Sequence, residues 1–515
     1  IFGYVSKMEY PKVENYFEEF YPYGITFGYR CNNKKMFFFR GDTNFSLCPI
    51  YCDSNTLMLC EGIPIRGSPD NGYEPVDIIS EEDIEGGFHN FVDGIVSNVS
   101  TVFFKKGNHP KLYLSSNRAA TGRIYYRFMN KGIAFSSSFS VLGQFAPFRI
   151  DCAGIYSILK YGFVPPPLTL SKEIFAVPPS HYIAVDLSRM EIFQYPYFRF
   201  SFLEEHGFDL DRLSDILDAC SETLSRMNCC LLLSGGVDST LLAHKMGERS
   251  NQNTRSYFLA FGKNDPELVF AKEASESSGS ELDVIYMDEN RLYEIIDEIA
   301  TSYDHPFGDG SVIPTYFLMK HIINEGEKII VDGTGGDGCF GFETIASEIF
   351  WELMYSLPTA FKKLTSSMYS HSGLWKRASI VEKIFRTIVK CLEIDVNLGS
   401  LVGSPPNDVF SSNFEYDETI GRLSTTLINK LIGPCSSGQI FKQRATVADI
   451  IFTCGGWAAA KTDLRNKFPE VHTLYPFLWK DVLEEQGKIS WSAKVNNGTV
   501  KWPLKKLLEP HMPYH

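Results

Sequence analysis

Ser234-Gly235-Gly236-Val237-Asp238-Ser239 is the stretch of this 515-residue chain whose residue types and spacing point most directly to chemistry. Two adjacent glycines free a backbone turn, so its N–H groups can approach a bound anion closely. The hydroxyls of Ser234 and Ser239 add donors to the same small volume. The segment opens a helical-looking run at 240–246, and a helix start brings unpaired N–H groups and the positive end of its dipole. Asp238 is out of place in a bare anion hole. It makes sense if a Mg²⁺ ion sits between its carboxylate and a polyphosphate. The spacing and the missing lysine exclude a Walker loop.

These residues need a scaffold that holds a loop end still. The apolar run 229–233 reads as a buried parallel strand feeding the glycine turn. From about Leu203 onward, helical stretches alternate with apolar strands at 256–261, 282–288 and 328–331, the pattern of a doubly wound parallel sheet. A helix to about 278 opens at Asp265-Pro266-Glu267, and another at Pro314. The stretch 346–446 reads as helical, with a turn at Ser404-Pro405-Pro406-Asn407 and a core-facing stripe of Ile380, Ile384, Ile388 and Cys391. The first 200 residues differ. Short β-like runs at 1–5, 36–40, 101–104, 111–115, 124–128, 132–136 and 181–186 alternate with turns, and one helix spans 81 to about 91. That spacing predicts stacked antiparallel sheets.

Length and composition set bounds. The chain is too long for one core. A net charge of −13 argues against a nucleic-acid partner, since phosphate backbones need a basic field. No apolar run reaches membrane-span length, and no signal peptide is visible. The twelve cysteines are scattered, and the Cys48/Cys52/Cys60 group has no matching His or Cys pair, so buried free thiols in a reducing cytoplasm are expected.

The SGGxDS loop resembles the pyrophosphate loop of the N-type ATP pyrophosphatases, and other segments widen the likeness to the asparagine synthetase family. Ser116-Asn117-Arg118 through Tyr126 is similar to the strand-turn-strand of class II glutamine amidotransferase domains. Phe135–Leu142 is similar to a later strand segment of those domains, and Tyr161 to Pro179 resembles the linker between the two domains of asparagine synthetases. Tyr303-Asp304-His305-Pro306-Phe307-Gly308-Asp309 through Tyr316 resembles a loop beside the acyl-acceptor pocket; His305 there reads as a partly exposed loop histidine rather than a base. Asp332-Gly333-Thr334-Gly335-Gly336-Asp337 resembles the second phosphate-side loop. Lys461-Thr462-Asp463, Tyr475–Leu478 and Lys501–Leu508 match shorter motifs.

The resemblance implies two domains, α+β then α/β: residues 1–200 as an Ntn-hydrolase-like αββα unit derived from a glutamine amidotransferase, and 201–515 as the synthetase unit. It implies ATP and Mg²⁺, with Asp238 and Asp337 as metal carboxylates. Leu233 and Leu259 flank the adenine. Ser234, Gly235, Gly236, Ser239, Asp332 and Gly333 surround the phosphates, and Thr334 and Lys461 join the catalytic set. The reaction implied is adenylation of a carboxylate, with release of pyrophosphate, followed by amide formation.

Departures refine this. The family's first-position cysteine, arginine segment and Asn-Gly-Glu segment have no counterpart, and Cys60-Glu61-Gly62 stands where the last should be. A glutaminase needs a thiolate and an oxyanion hole, so the first domain reads as a retired glutaminase. An amine borne by the substrate or by a second substrate is then expected, as in β-lactam synthetases, carbapenam synthetase and lasso-peptide cyclases. A glutamine-hydrolysing asparagine synthetase with its Cys before residue 1, and an inactive assembly homologue, are the alternatives. Thr334 replaces the acid or tyrosine of the family's third position, and a Thr hydroxyl is a poor base unaided. His472 and Leu474 replace a charged pair, and a family lysine is expected shortly beyond His515. The partners implied are a small-molecule or peptide carboxylate, with room for a homodimer.

Overall fold

The computed structural model describes residues 2–6, 25–31, 34–40, 50–129, 132–203, 209–249, 254–288, 292–308, 310–341, 414–435 and 440–512. The first part holds two six-stranded antiparallel sheets. One runs, edge to edge, Ile174–Ala176, Tyr125–Met129, Gly132–Ser136, Phe2–Ser6, Lys34–Arg40, Ile25–Cys31. The other runs Glu191–Pro196, His181–Asp186, Lys111–Ser115, Ser100–Lys105, Thr56–Glu61, Ile50–Cys52.

The two sheets share a dry layer of Leu57, Leu59, Val102, Phe104, Leu112, Leu114, Ile133, Phe135, Ile183 and Val185. Each such side chain contributes about 1.5–3 kcal/mol when fully buried. Helices cover the outer faces. Phe88 of Phe88–Gly94 packs on Phe103, Tyr113 and Tyr182 of the second sheet. Phe139 of Phe139–Phe145 packs edge-on to Tyr125 of the first. Thr56–Glu61 is not legible in the sequence because it is buried on both faces, so its hydrophobicity does not alternate. The single helix expected at 81–91 is two, Glu81–Glu85 and Phe88–Gly94. Gly87 breaks it, at φ +85°.

The second part is built on a five-stranded parallel sheet in the order Glu281–Tyr286, Arg255–Ala260, Cys230–Leu232, Ile329–Val331, His472–Leu474. Leu231 faces a core shared with helices Leu210–Arg226 and Val237–Arg249. Cys230 and Tyr257 face the other side, where helices Leu292–Ser302 and Val312–Asn324 lie. The chain moves outward from Cys230–Leu232 in one direction and then returns to its other flank. The switch point therefore lies between Cys230–Leu232 and Ile329–Val331, where doubly wound sheets leave a crevice.

Two helix starts differ from the expected ones. Leu268–Ser278 begins past Pro266, because the Asp265 carboxylate accepts from the N–H groups of Phe261 and Glu267 and holds a turn there. Val312–Asn324 begins two residues before Pro314, which sits in the first turn, where its missing N–H costs nothing. Of the stretch expected to be helical at 346–446, Phe414–Leu431 and Ile440–Ala448 are described helices. The 404–407 turn and the 380–391 stripe lie outside the described residues. Among those residues, no helix is long and apolar enough to cross a membrane, and Cys60 is buried while Cys52 is exposed.

Candidate functional site

Cys230–Leu232 and Ile329–Val331 pair in parallel, Cys230 opposite Ile330 and Leu231 opposite Val331. The loops leaving their carboxyl ends are therefore neighbours. The first is Ser234–Asp238. Gly235 sits at φ +76°, and a Cβ there would lie 2.5 Å from the Ala271 backbone nitrogen, so helix Leu268–Ser278 closes against the turn and admits only glycine. The Ser234 N–H donates to Ser239 Oγ (3.2 Å), and Ser239 Oγ donates to the Gly236 carbonyl (3.2 Å). These bonds fix the entry to helix Val237–Arg249.

The second loop is 332–337. A Cβ on Gly333 would lie 3.2 Å from the Ser239 backbone nitrogen, and one on Gly336 would lie 2.3 Å from Asp238 Cγ. The two loops thus meet through glycine at the point where the two carboxylates face each other. Gly335 takes φ +117°, starting the short helix Gly336–Phe340 that carries Asp337.

One pocket of about 390 Å³ collects Leu233, Ser234, Asp238, Ser239, Leu259, Asp332, Gly333, Thr334 and Asp337, with Leu232, Tyr257, Phe258, Pro314 and Leu318 supplying apolar wall. Gly235 and Gly236 lie in the loop that borders it. Lys461 does not line this pocket, but its charge acts on Asp332. Its ammonium donates to Ser311 Oγ (2.8 Å) and lies 3.9 Å from the centre of the Trp457 ring.

Asp332 is tied from both sides. The Thr334 N–H and hydroxyl both donate to its Oδ1 at 2.9 Å, and the Thr462 hydroxyl lies 3.4 Å from its Oδ2. Thr462 in turn sits 2.9 Å from the Tyr475 hydroxyl. Burial raises the Asp332 carboxyl above its ordinary range, only partly offset by the Thr334 bonds. Thr334 is thus not an isolated hydroxyl: an acid two residues earlier accepts its proton. The sequence assigns the two residues separate roles and gives no sign of this pairing.

The residue that sequence reasoning most clearly misses is Lys501. The sequence places it only within a short motif, yet its ammonium lies 2.7 Å from Asp238 Oδ2 and 2.9 Å from Asp337 Oδ1. The available signal is a lysine directly ahead of Trp502-Pro503 at a helix start. Burial pushes the Asp238 carboxyl up to about 6, with Lys501 pulling the other way and Asp337 and Asp332 adding to the rise. Burial alone would lower the Lys501 ammonium, but the two carboxylates more than offset it and hold it above its ordinary value.

Among the described residues, no group of three or more His, Cys, Asp or Glu is arranged to hold a metal ion by itself. Asp238 Oδ1, however, is buried without a hydrogen-bond partner, and the Asp337 side chain is 61% exposed to the same pocket. Two carboxylates beside an open anion cradle fit Mg²⁺, which commonly takes one or two protein carboxylates and completes its shell with phosphate and water.

At the boundary between the two parts lies a cavity of about 90 Å³, lined by Glu61, Arg123 and Ser137 on one side and by Asp304, His305, Asp463 and Arg465 on the other. Asp304 accepts from Ser138 Oγ and from the N–H groups of Phe139 and Ser140 at 2.8–3.0 Å, capping helix Phe139–Phe145 across the boundary. His305 Nε2 lies 3.1 Å from the Tyr125 hydroxyl, so this histidine has a packing partner in the first part. Asp463 holds Arg465 in a two-point pair (2.7 and 2.6 Å). Leu474 and His472 sit buried in the edge strand.

The glutamine-hydrolyzing asparagine synthetase 1 of Bacillus subtilis is 22% identical over 431 residues, which is 80% of this chain and 65% of that protein, so the chain spans under two thirds of the relative's length. Among solved structures, a glutamine phosphoribosylpyrophosphate amidotransferase from B. subtilis overlaps 66% of this chain and 77% of its own, at TM-score 0.25 and 8% identity. The NH3-dependent NAD synthetase of Campylobacter jejuni overlaps 27% and 62%, at TM-score 0.20 and 14% identity. The family model of asparagine synthase matches residues 213–386. It is thus the stretch carrying both glycine-bordered acidic loops that is related to the asparagine synthase family.

Proposed function

We propose that this chain is an ATP-dependent amide-forming ligase: it adenylates a carboxylate, releases pyrophosphate and couples the acyl group to an amine. The observation that carries this reading is the placement of Asp238 and Asp337. They come from loops on adjacent parallel strands, lie within reach of one cation, and border a pocket with both a polar cradle and an apolar wall. Relatedness to asparagine synthase over 213–386 supports it.

In this reading Leu233 and Leu259 hold the adenine, while the loop amides with Ser234 and Ser239 hold phosphate oxygens. Asp238 and Asp337 would hold Mg²⁺, which when bound neutralises charge on the phosphates. A free carboxylate does not acylate an amine at neutral pH, and AMP gives it a leaving group. Donors already aimed at the departing pyrophosphate stabilise its charge without reorganising. As the amine attacks, its proton passes to Thr334 Oγ1 while the Thr334 proton passes to Asp332. This pair takes the place of the acid or tyrosine expected at the third loop position.

The amine is read as one borne by the substrate or by a second substrate. Arg118, in the segment that resembles the amidotransferase strand-turn, is 2% exposed and donates to the carbonyls of Ile95, Val92 and Asp93. It caps the end of a helix, which supports a scaffold role for the first domain. The relative's glutamine-hydrolyzing activity favours the alternative of ammonia from glutamine.

The test is ATP–pyrophosphate exchange across a panel of amino-acid and peptide carboxylates. Exchange with at least one carboxylate is expected, turnover with the amine should release AMP and pyrophosphate, and ADP formation refutes the ligase. Thr334→Val should keep exchange and lose amide product. Glutamate release from glutamine would mark the ammonia-using alternative.

A further inference from the structure

Lys501 sits where a metal ion would be expected. Its ammonium bridges Asp238 Oδ2 and Asp337 Oδ1 at 2.7 and 2.9 Å, the same two carboxylates that face the phosphate cradle. Asp238 is 16% exposed and its other oxygen has no partner, so this carboxylate has little water to stabilise its charge. A buried carboxylate with a second carboxylate beside it needs a cation, and the chain supplies one.

The backbone behind this lysine is anchored by its helix, and its side chain ends on the two carboxylates. Lys501 sits at φ +53°, a conformation rare for a residue with a Cβ, just ahead of helix Trp502–Leu508. Leu504 and Leu508 of that helix are buried in the central core. The link between that backbone and the ammonium is a flexible four-carbon stem, the part of the residue that can turn while the helix stays in place.

We infer that Lys501 is an internal counter-cation: it fills the divalent-ion position in the nucleotide-free protein and yields it when metal and nucleotide arrive together. This rests on reading the pocket as a metal–nucleotide site. The physical reason is a competition. Two carboxylates with one ammonium between them retain a single net negative charge, too little to draw a strongly hydrated divalent ion on its own. A polyphosphate brings charge of its own and offers the displaced ammonium a new partner. The protein therefore takes up the metal as a nucleotide complex and not as a free ion.

The test uses the whole chain and Mn²⁺ alone, followed by electron paramagnetic resonance. Without nucleotide, the unaltered protein should bind Mn²⁺ weakly. Lys501→Met should bind it about tenfold or more tightly, because a close opposing charge has been removed. Adding Asp238→Asn to Lys501→Met should abolish the gain, locating the ion at this pair. Equal Mn²⁺ binding by Lys501→Met and the unaltered protein overturns the inference. Lys501→Gln is the second variant. If both substitutions unfold the chain by circular dichroism, Lys501 is a structural ion-pair partner and the inference also falls. Calorimetry of the unaltered protein with Mg²⁺ and a non-hydrolysable ATP analogue reports separately on the pocket: no binding there defeats the nucleotide reading, whatever the Mn²⁺ result.

Discussion

Asp238 is the residue on which the site's chemistry turns, and its environment pulls in two directions. Burial favours the neutral acid, while metal binding needs the carboxylate. With its pKa raised to about 6, the ionised form is complete well above that pH and is lost as pH falls through it. Affinity for a Mg²⁺–nucleotide analogue should therefore be flat above about pH 7 and fall by up to about tenfold per unit below pH 6. Calorimetry across that range checks it; an affinity unchanged at pH 5 would show that Asp238 is not a ligand. Thr334 makes a related point. As a residue type it is a weak base, and only the 2.9 Å bond to Asp332 gives its proton somewhere to go.

At the scale of elements, the two loops work because glycine lets them touch. Gly336 has ordinary helical backbone, so alanine there is not conformationally strained, but its Cβ would fall 2.3–2.5 Å from the Asp238 carboxyl group. Gly336→Ala should displace that carboxylate and weaken nucleotide binding by about tenfold or more, while the melting midpoint moves by less than about 4 °C. Gly335→Ala should do the reverse damage. Its φ of +117° and the Leu478 side chain at 2.7 Å place the cost in folding. Comparing the two variants by calorimetry and thermal melting separates a binding glycine from a folding one. Similar losses of stability in both would defeat this distinction.

Across the whole molecule, the sandwich and the parallel sheet are joined by a polar clamp. Asp304, from the loop before helix Val312–Asn324, caps helix Phe139–Phe145 of the first part with three hydrogen bonds. Bonds to a charged acceptor contribute more than neutral ones, so Asp304→Ala should cost about 2 kcal/mol and lower the melting midpoint by several degrees, with Asp304→Asn intermediate. An unchanged midpoint would show that the boundary is held elsewhere, for instance by the Tyr73–Asp481 bond or by Lys480 on Asp93. This boundary also gives His305 its surroundings. Its loop position predicts partial exposure, and it is half-buried, with Tyr125 and Phe139 packed against the ring.

What the sequence determined by itself was local. The apolar run into Ser-Gly-Gly, the helix after it and the second glycine loop are each set by neighbours within a few residues, so period and turn chemistry reveal them. The same holds for the alternation in His181–Asp186. Strands buried on both faces carry no alternation, and Thr56–Glu61 stayed hidden for that reason. Only tertiary structure decided which acids face each other. Asp238 and Lys501 are 263 residues apart in the chain, and no spacing rule joins them. Parallel pairing of two strands brings the loops together, and burial of Leu504 and Leu508 delivers the lysine to them. Those are long-range packing outcomes, set by how whole elements share a core and not by any residue's own preferences.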